Sequence, residues 1–475
     1  MVEESFGRKG TFFQFFASLI ANMMAVTDGM SMGWTAPMIP YFMSEKTHIK
    51  MTRNQADWLE NSLLIGAFVG LPTTMYFVDK IGRRKSLMLA TSVLIICWIA
   101  VAIADRVEYI YVARFFKGLG LNMAFVAAPM YVGEISHKNI RGILSSSIFV
   151  LMLIGVLIIY SVGPFVPFFV PSIIAGGLLL IELVVFFFLP ESPYYLLVRN
   201  KDDDARKSLL RFRDNPADVE VELREMAASL EEDRKTEKSS LKDIFLVKSY
   251  RKPMTIMIAL NLAQLFSGFE VILMNLHEIL DSAGSIYVSP SSAAIIFATF
   301  MLVASSLASL SVDKFGRKLL LIVSSILTGV CLLTLGLYFN LKHSGYDMTT
   351  VSWIPIVAVM TYATSFKLGL GVVPIVLTAE IFASKIKAIG MSLGDAVYVG
   401  ASLLALQLYF SLKEHLGIHI PFYIFCCCSL STSLFVWFFV PETKGKSLDE
   451  IQEIMRGEVA KSPEENVKLM EVKGQ

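Results

Sequence analysis

Charged side chains of both signs occur together in a short motif that the sequence repeats. The motif reads Asp79-Lys-Ile-Gly-Arg-Arg-Lys85 and returns as Asp313-Lys-Phe-Gly-Arg-Lys-Leu319. The glycine permits a tight turn, and the cations can form ion pairs with carboxylates at neighbouring helix ends. We expect such pairs to form when a gate made by these helix ends on the cytoplasmic side is closed, and to break when this gate opens.

A second group of carboxylates and cations recurs in the same order. Glu134 is followed seven residues later by Arg141, and Glu380 is followed seven residues later by Lys387. Several signals recurring in one order indicate two homologous halves. The alternative is that these charges only set the topology and anchor helix ends. The predicted network consists of Asp79, Arg83, Arg84, Arg114, Glu134, Arg141, Glu191, Asp313, Arg317, Glu380, Lys387 and Glu442.

Glu270 is a different candidate, because it lies inside an apolar stretch. A carboxylate at the centre of a membrane helix costs roughly 2.5–3.5 kcal/mol on insertion scales, so such residues usually face a cavity or a partner. Glu270 is therefore expected to accept hydroxyl groups of a solute or to carry a proton. Asp28 is interpreted as a wall residue or helix cap rather than as a proton site.

Apolar helices must position these residues. The chain has 475 residues, of which 55% are hydrophobic and 17% charged, whereas a soluble domain is roughly 45–50% apolar and about 25% charged. Recurring apolar stretches of about 20 residues predict an all-α membrane protein with twelve transmembrane helices in two six-helix halves. The predicted helices are 11–33, 57–78, 86–104, 109–132, 143–162, 168–189, 253–276, 291–312, 318–340, 352–379, 388–411 and 420–440.

These helices divide the chain into four parts. We predict an N-terminal half over 1–189, a linker over 190–252, a C-terminal half over 253–440 and a tail over 441–475. Lysine and arginine concentrate in loops that fall on one side, which predicts that this side and both termini are cytoplasmic. The linker is highly charged but has apolar residues at helical spacing, which favours two or three amphipathic helices over a solvated linker.

Composition also argues against several function classes. A net charge of +1 is too balanced for a nucleic-acid-binding protein. The five cysteines all lie in apolar runs and are interpreted as packing residues. Because no catalytic constellation and no phosphate-binding loop occur, we expect neither an enzyme nor a cofactor or metal site. The expected partners are a small-molecule solute and the lipid bilayer, and the chain is expected to be a monomer.

The charged motifs, with others along the chain, resemble those of the sugar porter family of the major facilitator superfamily, in particular its insect facilitated trehalose transporter branch. The motifs that carry the resemblance are Gly33–Pro37, Asp79–Arg84, Arg114 with Gly118 and Gly120, Pro129–Ser136 with Arg141, Pro190–Tyr195, Asp313–Lys318, Ala379–Phe382 and Pro441–Ile451. The resemblance implies alternating access around a site between the halves, facilitative transport of a hexose or a trehalose-like disaccharide, and a plasma-membrane location.

The family's sugar-binding positions differ in this chain. Its second helix 7 glutamine is replaced by Leu265 and its helix 7 asparagine by Glu270. The resemblance places the substrate site at Gln264, Ser267, Gly268, Glu270, Asn275, Phe149, Ile375 and Tyr398. Three alternatives stay open: proton-coupled symport through Glu270, transport of another polar solute such as a glycoside, and a non-transporting sugar sensor.

Overall fold

The computed structural model describes residues 8–45, 47–137, 139–235, 248–382, 384–446, 450–451 and 454–455. In these ranges, eleven helical segments are long and apolar enough to cross a membrane. A shorter apolar helix of 17 residues, Val170–Phe186, takes the sixth position. The predicted twelve-helix arrangement is therefore present. The side chains of two predicted network residues, Asp313 and Lys387, lie outside the described part.

The N-terminal half contains spans 1 to 6. Its helices are Arg8–Asn22, Met24–Gly33 and Thr35–Phe42 in span 1, Arg53–Ile81 in span 2, Arg83–Ala102 in span 3, Val107–Ile135 in span 4, Arg141–Val162 in span 5 and Val170–Phe186 in span 6. Span 2 begins with a reciprocal cap, because the Thr52 hydroxyl accepts a hydrogen bond from the Gln55 amide while the Gln55 side chain accepts one from the Thr52 amide.

The C-terminal half contains spans 7 to 12. Its helices are Lys248–Phe266 and Phe269–Ala283 in span 7, Pro290–Phe315 in span 8, Arg317–His343 in span 9, Thr349–Val351, Ile354–Leu368 and Val373–Ile381 in span 10, Ser384–Leu416 in span 11 and His419–Phe439 in span 12. Spans 7 and 10 are each broken near their middle. Broken helices expose backbone groups where a membrane protein lines a cavity.

Span 1 is longer than the predicted 11–33, because it continues to Phe42. The prediction ended the helix before the segment that contains Pro37. In the structure Pro37 lies in the first turn of Thr35–Phe42, where a missing backbone N–H leaves no helical hydrogen bond unmade.

In the described part of the linker, three helices follow the first half: Pro193–Val198, Asp202–Phe212 and Pro216–Lys235. They pack at the end of the bundle where span 1 starts, since the Gln14 side-chain amide donates to the Phe212 carbonyl over 2.8 Å. We call this end the linker end. The opposite end, where span 1 finishes and span 2 begins, is the far end.

Candidate functional site

An ion pair at the linker end joins spans 3 and 4 of the first half. Arg83 lies in the first turn of span 3, and its Nη2 is 3.0 Å from Glu134 Oε1. The Ser192 hydroxyl donates to the other oxygen of Glu134. Asp79 lies one turn earlier, 3.9 Å from Arg83 Nη1, but its side chain is 76% exposed, so this contact contributes little.

The second half builds the same arrangement from the repeated motif. Arg317, in the first turn of span 9, places Nη2 2.9 Å from Glu380 Oε1. The Thr443 hydroxyl donates to Glu380 Oε2 over 2.6 Å, which corresponds to the contact of Ser192 with Glu134. Each pair joins elements of one half, so it braces that half and does not bridge the two.

A glutamate beside each ion pair caps the first turn of the helix that carries the arginine. Glu191 caps span 3, and Glu442 caps span 9. The amide of Arg84 donates to Glu191 over 2.9 Å. The amides of Arg317 and Lys318 each donate to Glu442 over 3.0 Å. A carboxylate on the free N–H groups of a helix start is favoured by hydrogen bonding and by the helix dipole. Burial opposes ionisation of Glu442, but these and neighbouring backbone hydrogen bonds outweigh it and lower the pKa of its carboxyl.

Two predicted network residues do not belong to these clusters. Arg114 and Glu134 lie on one continuous helix, so at 1.5 Å per residue about 30 Å separates them. Arg114 lies near the far end, where its Nε donates to the Leu59 carbonyl over 2.6 Å and its guanidinium lies 5.3 Å from the Trp34 ring. Arg141 is at the linker end, but its described contact is with the Ser136 carbonyl, 3.3 Å away.

An ion-pair group at the far end does join the halves. Arg53 of span 2 pairs with Glu278 of span 7. Lys413 of span 11 places its Nζ 2.7 Å from the same carboxylate. Our sequence reasoning missed this group because neither the repeat nor the family motifs include it. The available signal was a set of three charged residues at predicted far-end helix ends.

Span 7 makes two further contacts with the first half through its backbone. The Tyr160 hydroxyl of span 5 donates to the Leu273 carbonyl. The Thr35 hydroxyl of span 1 donates to the Met274 carbonyl over 3.3 Å. The backbone departs from helical geometry next to these carbonyls, at Asn275, where φ is −109° and ψ is 16°.

Asn275 itself belongs to this far-end contact. Its Nδ2 donates to Glu60 Oε2 over 3.1 Å and to the Val271 carbonyl over 3.1 Å. Both amide hydrogens are therefore committed, whereas Oδ1 has no hydrogen-bond partner in the described part of the chain; the role of Asn275 in binding a solute stays a prediction. Glu60 is fully buried and also interacts electrostatically with Arg114.

The middle of span 7 contains the break between its two helices. Gly268 has a left-handed φ of 79°, and a Cβ at this position would lie 2.8 Å from the Phe425 ring. The Ser267 hydroxyl donates to the Gln264 carbonyl over 2.6 Å, and the Ser267 carbonyl accepts a bond from Tyr362 over 3.0 Å. Three predicted site residues thus meet at one helix break, and all three are buried.

Glu270 follows this break, and residues of spans 1 and 11 lie close to it. The hydroxyl groups of Tyr398 and Ser402, both on span 11, are close enough to interact with its carboxylate, although Ser402 Oγ and Glu270 Oε2 have no hydrogen-bond partner in the described part of the chain. Asp28 of span 1 is near enough for the two carboxyl groups to interact electrostatically. Both acidic side chains are 6% exposed. The structure thus brings together two carboxyl groups from the middle parts of spans 1 and 7, one from each half.

Two other predicted substrate contacts lie on different elements. Phe149 of span 5 packs edge to face on Phe125 of span 4, with ring centroids 6.1 Å apart. Ile375 is 40% exposed on Val373–Ile381, the last helix of span 10. Their described contacts do not join them to the group around Glu270.

A buried lysine near the break was not among the predicted site residues. Lys367 of span 10 is 6% exposed, and its Nζ lies 4.4 Å from the centroid of the Phe269 ring. Its counterpart in the repeat is Lys117, whose Nζ lies 3.1 Å from the centroid of Trp98. The recurrence of Phe116-Lys117 as Phe366-Lys367 was the signal that could have identified both. Attraction between a desolvated cation and a ring face stabilises such positions.

Curated relatives include two facilitated trehalose transporters named Tret1. That of Culex quinquefasciatus is 28% identical over 457 residues, which cover 95% of this chain and 87% of the relative. That of Anopheles gambiae is 28% identical over 451 residues and 94% of this chain. The chain spans only 56% of the length of the Anopheles gambiae protein.

Solved structures share the fold. The inward-open conformation of the xylose transporter XylE from E. coli aligns with a TM-score of 0.75 at 22% identity, covering 93% of this chain and 99% of XylE. The proton:xylose symporter XylE bound to 6-bromo-6-deoxy-D-glucose aligns with a TM-score of 0.72 at 22% identity, covering 94% and 100%. The predicted major facilitator fold is thereby confirmed. The family model "Sugar (and other) transporter" matches residues 13–455, so this multi-pass membrane protein belongs to that family.

Proposed function

We propose that the chain transports a sugar, a hexose or a trehalose-like disaccharide, by alternating access between its two halves. The mode is facilitative uniport, in which the solute moves down its own gradient. Family membership and the trehalose-transporting relatives support the sugar as solute.

The observation that carries this proposal is the far-end contact between the halves. Span 7 meets the first half there through Arg53–Glu278, Tyr160–Leu273, Thr35–Met274 and Glu60–Asn275. A closed far end beside a central polar group is what one state of an alternating-access cycle requires. Opening that end must break these contacts, and the other state then closes the linker end.

We assign solute recognition to the span 7 break and the group around Glu270. Gln264 supplies an amide that both donates and accepts, and Glu270 with Tyr398 supplies further partners for sugar hydroxyls. Ser267 and Gly268 shape the break, and Phe149 and Ile375 are proposed as apolar walls. Sugar rings present hydroxyls at their edges and C–H groups on their faces, which suits this mixture.

We assign the ion pairs at the linker end to bracing the halves as they rock. In this proposal, residues 1–189 and 253–440 move as two bodies, with residues 190–252 and 441–475 attached at the linker end. The linker end and both termini are cytoplasmic, by the placement of lysine and arginine. The protein acts as a monomer in the plasma membrane.

A second candidate, proton-coupled symport, is favoured by one observation. Asp28 and Glu270 approach each other from opposite halves, so the separation of two acidic groups changes as the halves move. A carboxylate whose surroundings change during transport can bind and release a proton. Here Glu270 would be the coupling residue.

The test is uptake of radiolabelled glucose and trehalose by cells that express the chain, at neutral and acidic external pH, with and without a protonophore. We expect saturable uptake that changes neither with external pH nor on addition of the protonophore. Glu270→Gln should raise KM, because an amide is a weaker acceptor for hydroxyl groups than a carboxylate. The matched control is Glu182→Gln, since Glu182 is also buried in the membrane but bonds to Thr91 within the first half.

The outcomes separate the candidates. Uptake that a protonophore and Glu270→Gln both abolish, while Glu182→Gln retains it, would establish symport and reject uniport. Absence of uptake of either sugar, in cells whose surface carries the protein, would reject sugar transport and favour another solute or a sensor.

A further inference from the structure

A cavity of about 250 Å³ lies at the far end between the two halves. The first half contributes the end of span 1 and the connection between spans 5 and 6. The second half contributes the far part of span 7 and the first turn of span 8. The residues that matter for its chemistry are Pro37, Tyr41, Pro164, Phe168, His277 and Ser291.

His277 is the unusual member of this lining. Its side chain is 4% exposed, yet neither ring nitrogen has a hydrogen-bond partner in the described part of the chain. Its ring packs edge to face on Tyr160, with centroids 5.5 Å apart. The Tyr160 hydroxyl is occupied by the Leu273 carbonyl. A buried imidazole has one N–H donor and one acceptor nitrogen, and leaving both unsatisfied is unfavourable.

Apart from His277, the side-chain hydrogen-bonding groups of the lining are the hydroxyls of Tyr41 and Ser291. Pro37 and Pro164 have no backbone N–H. The Tyr41 hydroxyl is already shared with His48 Nδ1 over 3.1 Å, and the Tyr41 ring stacks on Phe168 at 6.0 Å. A sugar carries more hydroxyls than these few side chains can pair, so it would bury hydroxyls without side-chain partners, which is unfavourable. A ring compound with a single hydroxyl matches the lining, because its ring contacts the aromatic and proline walls while its hydroxyl bonds to the imidazole.

The cavity exists only while the far end is closed, because its walls belong to both halves. A ligand that contacts both walls binds this state more tightly than an open state, so it shifts the population towards closure. By the same linkage, changes that favour opening of the far end must weaken binding of the ligand.

We infer that this cavity is a binding site for a small neutral phenol, held through His277, and that its occupancy keeps the far end closed. The binding itself does not depend on the proposed transport activity. A phenol that keeps the far end closed should also inhibit sugar uptake. This second consequence rests on the proposed transport activity.

The test uses radiolabelled 4-methylphenol and equilibrium dialysis against the purified full chain in lipid nanodiscs. We expect saturable binding of one molecule per chain. His277→Phe keeps the ring contact with Tyr160 but removes both nitrogens, so it should weaken binding about tenfold, as expected for loss of one buried hydrogen bond. Toluene, which lacks the hydroxyl, should compete only at higher concentration.

The matched control is His343→Phe. His343 is at the same end of the molecule, where its ring lies 5.2 Å from that of His419, and it is not part of the cavity lining. This variant should bind 4-methylphenol like the wild type. Should His277→Phe fold poorly, Ser291→Phe fills the cavity from the partly exposed start of span 8 and should abolish binding.

Equal binding by the wild type, His277→Phe and Ser291→Phe would overturn the site. Competition by D-glucose that disappears in His277→Phe would overturn the phenol assignment and indicate a sugar subsite. Arg53→Gln removes a far-end contact between the halves, so it should weaken the binding of 4-methylphenol. Unchanged affinity of that variant for 4-methylphenol would overturn the claim that occupancy of the cavity keeps the far end closed. Each readout is binding, so a failure of the transport proposal would be visible separately, as absent uptake with intact binding.

Discussion

At the scale of single residues, the most demanding positions are the glycines before spans 3 and 9. Gly82 has φ 100° and ψ 168°, and Gly316 has φ 90° and ψ 158°. Other residues rarely adopt this backbone region. A Cβ would also lie 2.6 Å from Glu191 Oε2 in the first case and 2.7 Å from Glu442 Oε2 in the second. Glycine therefore permits both the turn and the approach of the capping carboxylate.

This arrangement predicts a large effect for Gly82→Ala. The substitution should destabilise the folded chain by about 1–3 kcal/mol, since it forces a side chain into a glycine conformation and displaces Glu191. The measurement is the midpoint of thermal unfolding in detergent. Gly133→Ala is the control, because a Cβ there meets no atom within 4 Å. A midpoint for Gly82→Ala equal to that of the control would contradict the argument.

At the scale of elements, span 7 is the helix whose backbone takes part in closing the far end. The carbonyls of Leu273 and Met274, next to the departure from helical geometry at Asn275, accept hydrogen bonds from spans 5 and 1. A carbonyl has two lone pairs, so it can accept a bond from a neighbouring span in addition to its helical one. Span 7 therefore binds the first half through main-chain groups, and separation of the halves would break these bonds.

Tyr160→Phe tests this role of span 7. The change removes one hydrogen bond between the halves, worth about 1 kcal/mol, so opening of the far end should become about fivefold more frequent. Amide hydrogen exchange over residues 269–283 measures the opening. The control is Tyr131→Phe, which removes the hydroxyl that donates to the Pro190 carbonyl over 2.8 Å at the linker end. Similar exchange in both variants would show that the Tyr160 bond does not hold the far end closed.

At the scale of the whole molecule, the two halves meet through a charged group that is partly accessible to solvent. Arg53 of the first half is 45% exposed and pairs with Glu278 of the second. Exposed ion pairs are worth about 0.2–1 kcal/mol and weaken as salt screens them. The closed far end should therefore become less favoured at high ionic strength.

Arg53→Gln should remove that salt dependence. In the wild type, exchange over residues 269–283 should become faster as salt is added, whereas the variant should exchange faster already at low salt and change little. Lys413→Gln is the matched control, because Lys413 binds the same Glu278 carboxylate from within the second half. It should retain the salt dependence. Loss of salt dependence in Lys413→Gln alone would assign the effect to stability of the second half.

The sequence by itself determined the membrane-spanning helices, the repeat and the family. These properties are local, since hydropathy over about 20 residues identifies a span and each half carries its own copy of the motifs. The pairing of Arg83 with Glu134 could also be expected, because the equivalent Arg317 and Glu380 recur in the same order. The gating and solute-binding roles assigned to these and other site residues stay predictions.

Only the tertiary structure decided how the halves meet. Arg114 lies near the far end because one continuous helix separates it from Glu134 by about 30 Å. The sequence motifs that contain these two residues do not indicate this distance. Asn275 bonds to Glu60, a residue 215 positions away, and His277 lines a cavity whose other wall belongs to the first half. Such contacts join residues far apart in the sequence, as do those of Tyr160 with Leu273 and of Thr35 with Met274. They leave no periodic pattern in the sequence, so they can be read only once the two halves are placed together.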